Sequence, residues 1–168
     1  MELQNHTQTI SFYVNEGDFK SIGKKLTKLG MADTYEFVNQ LYKDDFVDLD
    51  TKSDTVVKAS KSAIGHLISD PEGNFPRKDT SYADLPELRK ATVEMFVPNQ
   101  MYNLALSDSN AKITTGDYLQ IGADGKLTKA TGSTDTGCKA TEDKEANAGG
   151  FIDVIITPAS AIKVATSG

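Results

Sequence analysis

An internal echo in the chain, read either as a true repeat or as the likeness of any two β meanders, constrains its fold more than any other feature. Asp45-Phe46-Val47-Asp48-Leu49 matches Asp117-Tyr118-Leu119-Gln120-Ile121 in pattern. A turn follows each, then Val56-Val57-Lys58-Ala59-Ser60 against Leu127-Thr128-Lys129-Ala130-Thr131. Gly65 to Asp70 then faces Gly137 to Glu142, and Val93 to Val97 faces Ile152 to Ile156. The step is 72 residues at Asp45 and shrinks to 59 at Val93. The difference falls in a long polar excursion, residues 69–86, which holds Pro71, Pro76 and Pro86 and has no counterpart in the second copy. Apolar residues sit at matching alternate positions, so each copy can bury one face of a sheet. The repeat predicts two similar small β units, or two halves of one barrel.

Other segments read as strands on the same grounds. Thr7 to Val14, Thr92 to Val97 and Phe151 to Thr157 are rich in β-branched and aromatic residues, and Tyr102 to Leu106 reads as another strand. Asp124-Gly125 supplies a tight turn before Lys126 to Thr131. Ile162 and Val164 place one edge strand in the tail. The N-terminal third reads differently. Phe19, Ile22, Leu26 and Leu29 recur at helical spacing, with Lys20, Lys24, Lys25 and Lys28 off that stripe. Gly30 suits a helix stop, Asp33 and Glu36 resemble a capping box, and Phe37 to Tyr42 gives a second short helical face, although a strand fits there too.

Composition narrows the function classes. Of the 168 residues, 24 are acidic and 18 basic, for a net charge of −6, which disfavours a broad basic nucleic-acid surface. Trp is absent and aromatics make up 8%, so a base-stacking platform is disfavoured too. A single cysteine, Cys138, forms no internal disulfide. With two histidines it cannot complete a four-ligand zinc site. No apolar run approaches the roughly 20 residues that span a bilayer. The first residues show no basic and apolar leader, so the chain is expected to be soluble and unprocessed.

Residues 113–121, Ile-Thr-Thr-Gly-Asp-Tyr-Leu-Gln-Ile, open a longer pattern. An Asp-Gly turn, Leu127 to Thr131, Thr136-Gly137-Cys138-Lys139-Ala140 and Phe151 to Ile156 complete it. It resembles the small capsid decoration, or cement, proteins of tailed bacteriophages. Their pattern sets a Gly-Asp pair before a strand, then a hairpin, an apolar-Gly-apolar step and a final apolar strand with an acidic residue. The resemblance covers roughly residues 101–158 and, more faintly, 44–98. The sequence departs from it at Cys138-Lys139, and residues 19–42 are not part of it. The resemblance implies a structural virion protein, made in the host cytoplasm, that adds to the outside of an assembled shell, often as a trimer where capsomers meet. Its partner would be the major capsid protein. It implies no cofactor, no enzymatic activity, no membrane and no direct nucleic-acid contact. Contacts with the shell are assigned to residues 1–8 and to the 69–86 loop, with Asn5, His6, Phe75, Arg77, Lys78 and Tyr82 as the candidate residues.

Reactive constellations are weaker readings. A hydrolytic triad would need His6 or His66. The first lies near the terminus, and the second sits in a strand as an ordinary half-exposed histidine. Asp48-x-Asp50 begins like a calcium loop, but its sixth and twelfth positions are Ser53 and Ala59. The lysines between 20 and 28 suggest a helix-turn-helix, against an acidic chain. Lys126 and Lys129 follow a tight turn as in lipoyl or biotinyl carriers, but without the flanking residues those need. The alternative from another class is a receptor- or glycan-binding module of a viral fibre or tail, with Phe75 and Tyr82 as its aromatic contacts.

The expected fold is mainly β with a minor α part. It comprises a small antiparallel β-barrel or β-sandwich, built as two similar β units if the echo is real, plus one or two short N-terminal helices. The expected organisation is an arm, strand and helical segment over 1–43, a first β unit over 44–100 and a second over 101–168.

Overall fold

The computed structural model describes residues 7–51, 54–73, 89–159 and 161–166. The strands are, in chain order, β1 (Gln8–Asn15), β2 (Phe19–Thr27), β3 (Gly30–Phe37), β4 (Phe46–Leu49), β5 (Thr55–Lys58), β6 (Ser62–Ala63), β7 (Gly65–Leu67), β8 (Lys90–Met95), β9 (Met101–Leu106), β10 (Leu119–Ile121), β11 (Leu127–Lys129), β12 (Cys138–Ala140), β13 (Gly150–Ile156) and β14 (Ile162–Lys163). Among the described residues there is no helix.

The expected N-terminal helices are therefore replaced by an antiparallel hairpin of β2 and β3. Thr27 pairs with Gly30 and the chain reverses over Lys28 and Leu29, inside the span read as one helical stripe. At the distal end of that stripe Leu26 is 74% exposed and Leu29 fully exposed. Cross-strand pairing outweighs a helical spacing whose distal apolar residues are not buried. Asp33 and Glu36, read as a capping box, both lie within β3. The helix-turn-helix reading of the lysines falls with the helices.

β1, β5, β4, β7 and β8 close into a barrel in that order. The barrel is mixed rather than antiparallel, because β1 and β5 run parallel. A parallel pair needs a crossover, and the chain between them supplies it through β2 to β4. The second sheet has the order β10-β11-β9-β13-β12, and its β11–β9 pair is again parallel. A bridge from Tyr118 to Lys139 joins its two outer strands. The two units thus share one topology, β9 standing for β1, β10 for β4, β11 for β5, β12 for β7 and β13 for β8.

The registers agree residue by residue. Val47↔Lys58 and Leu49↔Val56 in one ladder become Leu119↔Lys129 and Ile121↔Leu127 in the other. Val14↔Val56 becomes Leu106↔Leu127 across the parallel pair. Leu67↔Val93 becomes Ala140↔Val154, and Ile10↔Val93 becomes Tyr102↔Val154. The first barrel is filled by Phe12, Val14, Leu41, Val47, Val56, Leu67, Ala91 and Val93. Their equivalents, in the same order, are Leu104, Leu106, Ile113, Leu119, Leu127, Ala140, Ile152 and Val154, all buried in the second core. Eight apolar side chains at eight matching positions make this one fold built twice.

The turn before β4 and β10 is duplicated to the atom. Asp45 Oδ2 accepts the N–H of Tyr42 at 2.8 Å, and Asp117 Oδ2 accepts that of Thr114 at 2.9 Å. Lys43 N–H donates to Asp70 Oδ1 and Thr115 N–H to Asp143 Oδ1, both at 2.7 Å. The residue before the aspartate takes positive φ in both copies, 75° at Asp44 and 95° at Gly116. Glycine accepts that conformation at no steric cost, and aspartate is among the few other residues that tolerate it.

The two barrels are joined by more than the linker. Phe46, Ala63 and Phe96 of the first pack into the core of the second, with Phe96 edge-on to Tyr102 at 5.2 Å between ring centroids. β14 pairs with β6 of the first unit, Ile162 is fully buried, and Ala165 N–H donates to Ile121 O at 2.8 Å. The tail therefore clamps one unit to the other.

The equivalent turn aspartates respond to acid in opposite senses. Hydrogen bonding by Thr114 N–H, then by Lys129, holds the Asp117 carboxyl below its usual value of 3.8. Burial outweighs the Tyr42 N–H at Asp45 and raises it. A lowered carboxyl contributes stability that is present above 3.8 and lost as pH falls through the folded value; a raised one is unfavourable at neutral pH and relieved on acidification. Asp143, held down by the Thr115 N–H and hydroxyl, and Asp135, held down by the Gly137 N–H and Thr157 hydroxyl, belong with Asp117. Carboxyl carbon NMR titration is expected to place the Asp117, Asp135 and Asp143 midpoints below 3.8 and that of Asp45 above it. The reverse order at Asp45 and Asp117 contradicts the assignment.

Candidate interaction surface

Duplication isolates what the first barrel carries in addition. Between β1 and the turn at Tyr42 it inserts the β2–β3 hairpin; between β7 and β8 it inserts the stretch that includes 74–88. The second unit connects the same points with the short segments 107–112 and 141–149.

Both insertions are rooted in one buried ion pair. Glu16, 3% exposed, ends β1's course along the barrel, and Arg89, 7% exposed, precedes β8. Arg89 Nε donates to Glu16 Oε1 at 2.7 Å, and Nη2 donates to Oε2 at 2.6 Å. The same Oε2 accepts Leu41 N–H at 2.9 Å, beyond the far end of the hairpin. Arg89 Nη1 reaches Pro71 O at 3.3 Å, and its guanidinium lies over the Phe37 ring, 5.3 Å from the centroid. Asn39 N–H donates to Glu16 O at 2.8 Å and Val38 N–H to Asp18 O at 2.9 Å, closing the hairpin base. Burying two charges is costly, and a bidentate fork with further hydrogen bonds offsets that cost. One pole of the first barrel thus holds both ends of the hairpin and both flanks of 74–88.

The hairpin projects from that pole. Leu26 and Met31 face each other across its strands, 74% and 61% exposed, and Leu29 stands at the turn. Lys24 and Lys28 are exposed beside them. A two-stranded hairpin is at best marginally stable alone, and clustered exposed apolar side chains mark interaction surfaces. A shallow polar depression lined by Asn15, Asn39, Lys58 and Ser60 lies at its base.

The candidate contact residues inferred from sequence, Asn5, His6, Phe75, Arg77, Lys78 and Tyr82, lie outside the described residues. The hairpin is hidden in the sequence by the helical spacing of Phe19, Ile22, Leu26 and Leu29. Its sequence signal is the alternation through Met31, Asp33, Tyr35 and Phe37 after a turn at Gly30.

The reactive readings resolve into structure. His66 is buried rather than half-exposed: Nε2 lies 2.8 Å from Glu94 Oε1 and the ring stacks on Phe96 at 5.9 Å. Cys138 is fully buried, which pushes its thiol pKa up and away from reactivity. Lys129 Nζ lies 3.0 Å from Asp117 Oδ2. Asp50 accepts from Asn15 Nδ2 and Thr51 N–H, and Asp48 accepts from Leu49 N–H. Among the described residues no group of three or more His, Cys, Asp or Glu side chains is placed to hold a metal.

Removing one partner of the ion pair leaves a buried charge, so Glu16→Gln and Arg89→Met are each expected to cost about 3–5 kcal/mol in urea unfolding. The double variant should cost clearly less than the sum of the two. Additive losses contradict a direct pair.

No protein-family model matches the chain, and no curated protein matches it. Among solved structures it is similar to the N base of the head fiber gp8.5 in bacteriophage phi29, at a TM-score of 0.44 and 10% identity, over 96% of this chain and 100% of that one. That neighbour is part of a bacteriophage head fiber. It does not single out capsid decoration, and an overlap this loose carries no inference about what this chain does.

Proposed function

We propose that this chain is a structural virion protein that binds the outside of an assembled phage capsid and stabilises the head. The observation that carries the reading is local. The segment resembling decoration proteins, residues 101–158, forms a five-stranded sheet over a filled core that it shares with Phe46, Ala63 and Phe96 of the first unit, and a closed barrel of matching strand order precedes it with an added exposed hairpin. Such a body offers shape rather than chemistry. Two packed barrels provide rigidity, and an exposed apolar and basic projection provides adhesion. A ligand that binds only the assembled shell shifts the equilibrium toward it by mass action, which is how a cement protein stabilises a head. The major capsid protein is the partner in this reading.

The test is co-sedimentation of the purified chain with undecorated heads of the phage that encodes it. Saturable binding at a fixed copy number per capsomer, with a higher temperature of DNA release, is the expected result. Absence from the head pellet, or attachment to host cells with none to heads, overturns it; the latter favours a fibre or tail module.

A further inference from the structure

Because the barrels match position by position, differences between equivalent outer positions show where one has acquired a surface the other lacks. On the outer face of β1 and β8, Thr9 pairs with Glu94 and Tyr13 with Lys90. The equivalent pairs on β9 and β13 are Met101 with Ile155 and Ala105 with Phe151. Two of the three outward pairs have become apolar, with Ala105 buried, while the central Ser11–Thr92 pair is replaced by Asn103–Asp153, in which Asn103 Nδ2 donates to Asp153 Oδ1 at 2.8 Å. Phe151 is 44% and Met101 45% exposed, although burial of such side chains is strongly favourable. Asp153 stands exposed between Phe151 and Ile155, on the same face. This face complements the hairpin tip in chemistry: apolar Met101 and Phe151 on either side of an Asp153 carboxylate that accepts from Asn103, against apolar side chains with flanking lysines.

Charge is partitioned in the same way. Residues 19–37 hold four lysines and two acids, while the rest of the chain holds 14 basic and 22 acidic residues. A basic tip therefore meets attraction on another copy's body and repulsion from another copy's tip. Within one chain the two surfaces stay apart, since Leu26, Met31 and Phe151 are all exposed.

We propose that the β2–β3 tip of one copy docks on the outer face of β9 and β13 of a second copy. The contact joins unlike surfaces, so it is head-to-tail and closes into a ring when the rotation allows. It concerns the free protein and stands independently of the shell.

The test is the mass of the full chain by sedimentation equilibrium over micromolar concentrations. Wild type is expected at a multiple of 18.2 kDa. Lys24→Glu with Lys28→Glu, and separately Asp153→Lys, should each weaken assembly at least tenfold. Combining the three substitutions should restore it, because the charges are exchanged. All these side chains are exposed, and unchanged circular dichroism and thermal midpoints check that the variants fold. A wild-type monomer, or a multimer whose mass none of these variants alters, overturns the proposal. So does a variant set that keeps its mass but no longer binds heads, which assigns the tip to the shell. Head binding by a monomeric wild type defeats this inference and leaves the proposed function intact; assembly without head binding does the opposite.

Discussion

Strands of three to eight residues cannot enclose a core as an open sheet, and the architecture answers to that limit. Closure depends on one parallel contact in each unit, β1 on β5 and β9 on β11, made where the chain crosses over a neighbouring hairpin. Once that seam forms, every strand turns alternate side chains inward, and eight apolar residues fill the space. In the first unit the edges that would otherwise invite other chains are used up in the ring, and in the second a Tyr118–Lys139 bridge links the two end strands. Everything else in the molecule is attached to this closed, filled body.

The two copies show which features the fold requires and which are additions. The aspartate-capped turn, the parallel seam and the inward residues are present in both. The hairpin and the 74–88 stretch belong to the first alone, and a buried Glu16–Arg89 fork ties the hairpin base to the residue that precedes β8. The partly apolar outer face belongs to the second alone. A body that is stable by its own packing is free to carry surfaces that are left uncovered, and those surfaces are where its interactions belong.

Much of the body was legible in the sequence, for a physical reason. Around β4, β5, β10 and β11, period-two alternation flanked by turn residues fixes face and register together, so Val47 aligned with Leu119 and Val56 with Leu127 as the ladders pair them. Elsewhere composition misled. Setting Gly65 against Gly137 put β7 one residue out of step, whereas the ladders match Gly65 to Cys138; a one-residue slip exchanges the faces of a strand. Val93 was matched to Ile152 rather than Val154, a slip of two that preserves the faces and so left no warning. The likeness of β1 and β9 is hidden in the sequence, because the hairpin insertion separates β1 from the rest of its unit. The hairpin itself carries a helical spacing of Phe19, Ile22, Leu26 and Leu29, which the β2–β3 pairing and the exposure of Leu26 and Leu29 overrule. The Glu16–Arg89 pair, 73 residues apart, leaves no local trace at all.

The account stands on the claim that the barrel is the autonomous unit and the hairpin an accessory. Phe19 and Phe37 face each other at the first pair of the β2–β3 ladder, so an Asn-Gly turn can join them in place of residues 20–36. Thermal unfolding of that shortened chain, followed by far-ultraviolet circular dichroism, is the most direct measurement. A β spectrum and a midpoint within a few degrees of the full chain are the predicted result. A chain that no longer folds would contradict it, because the hairpin would then be part of what holds the barrel closed.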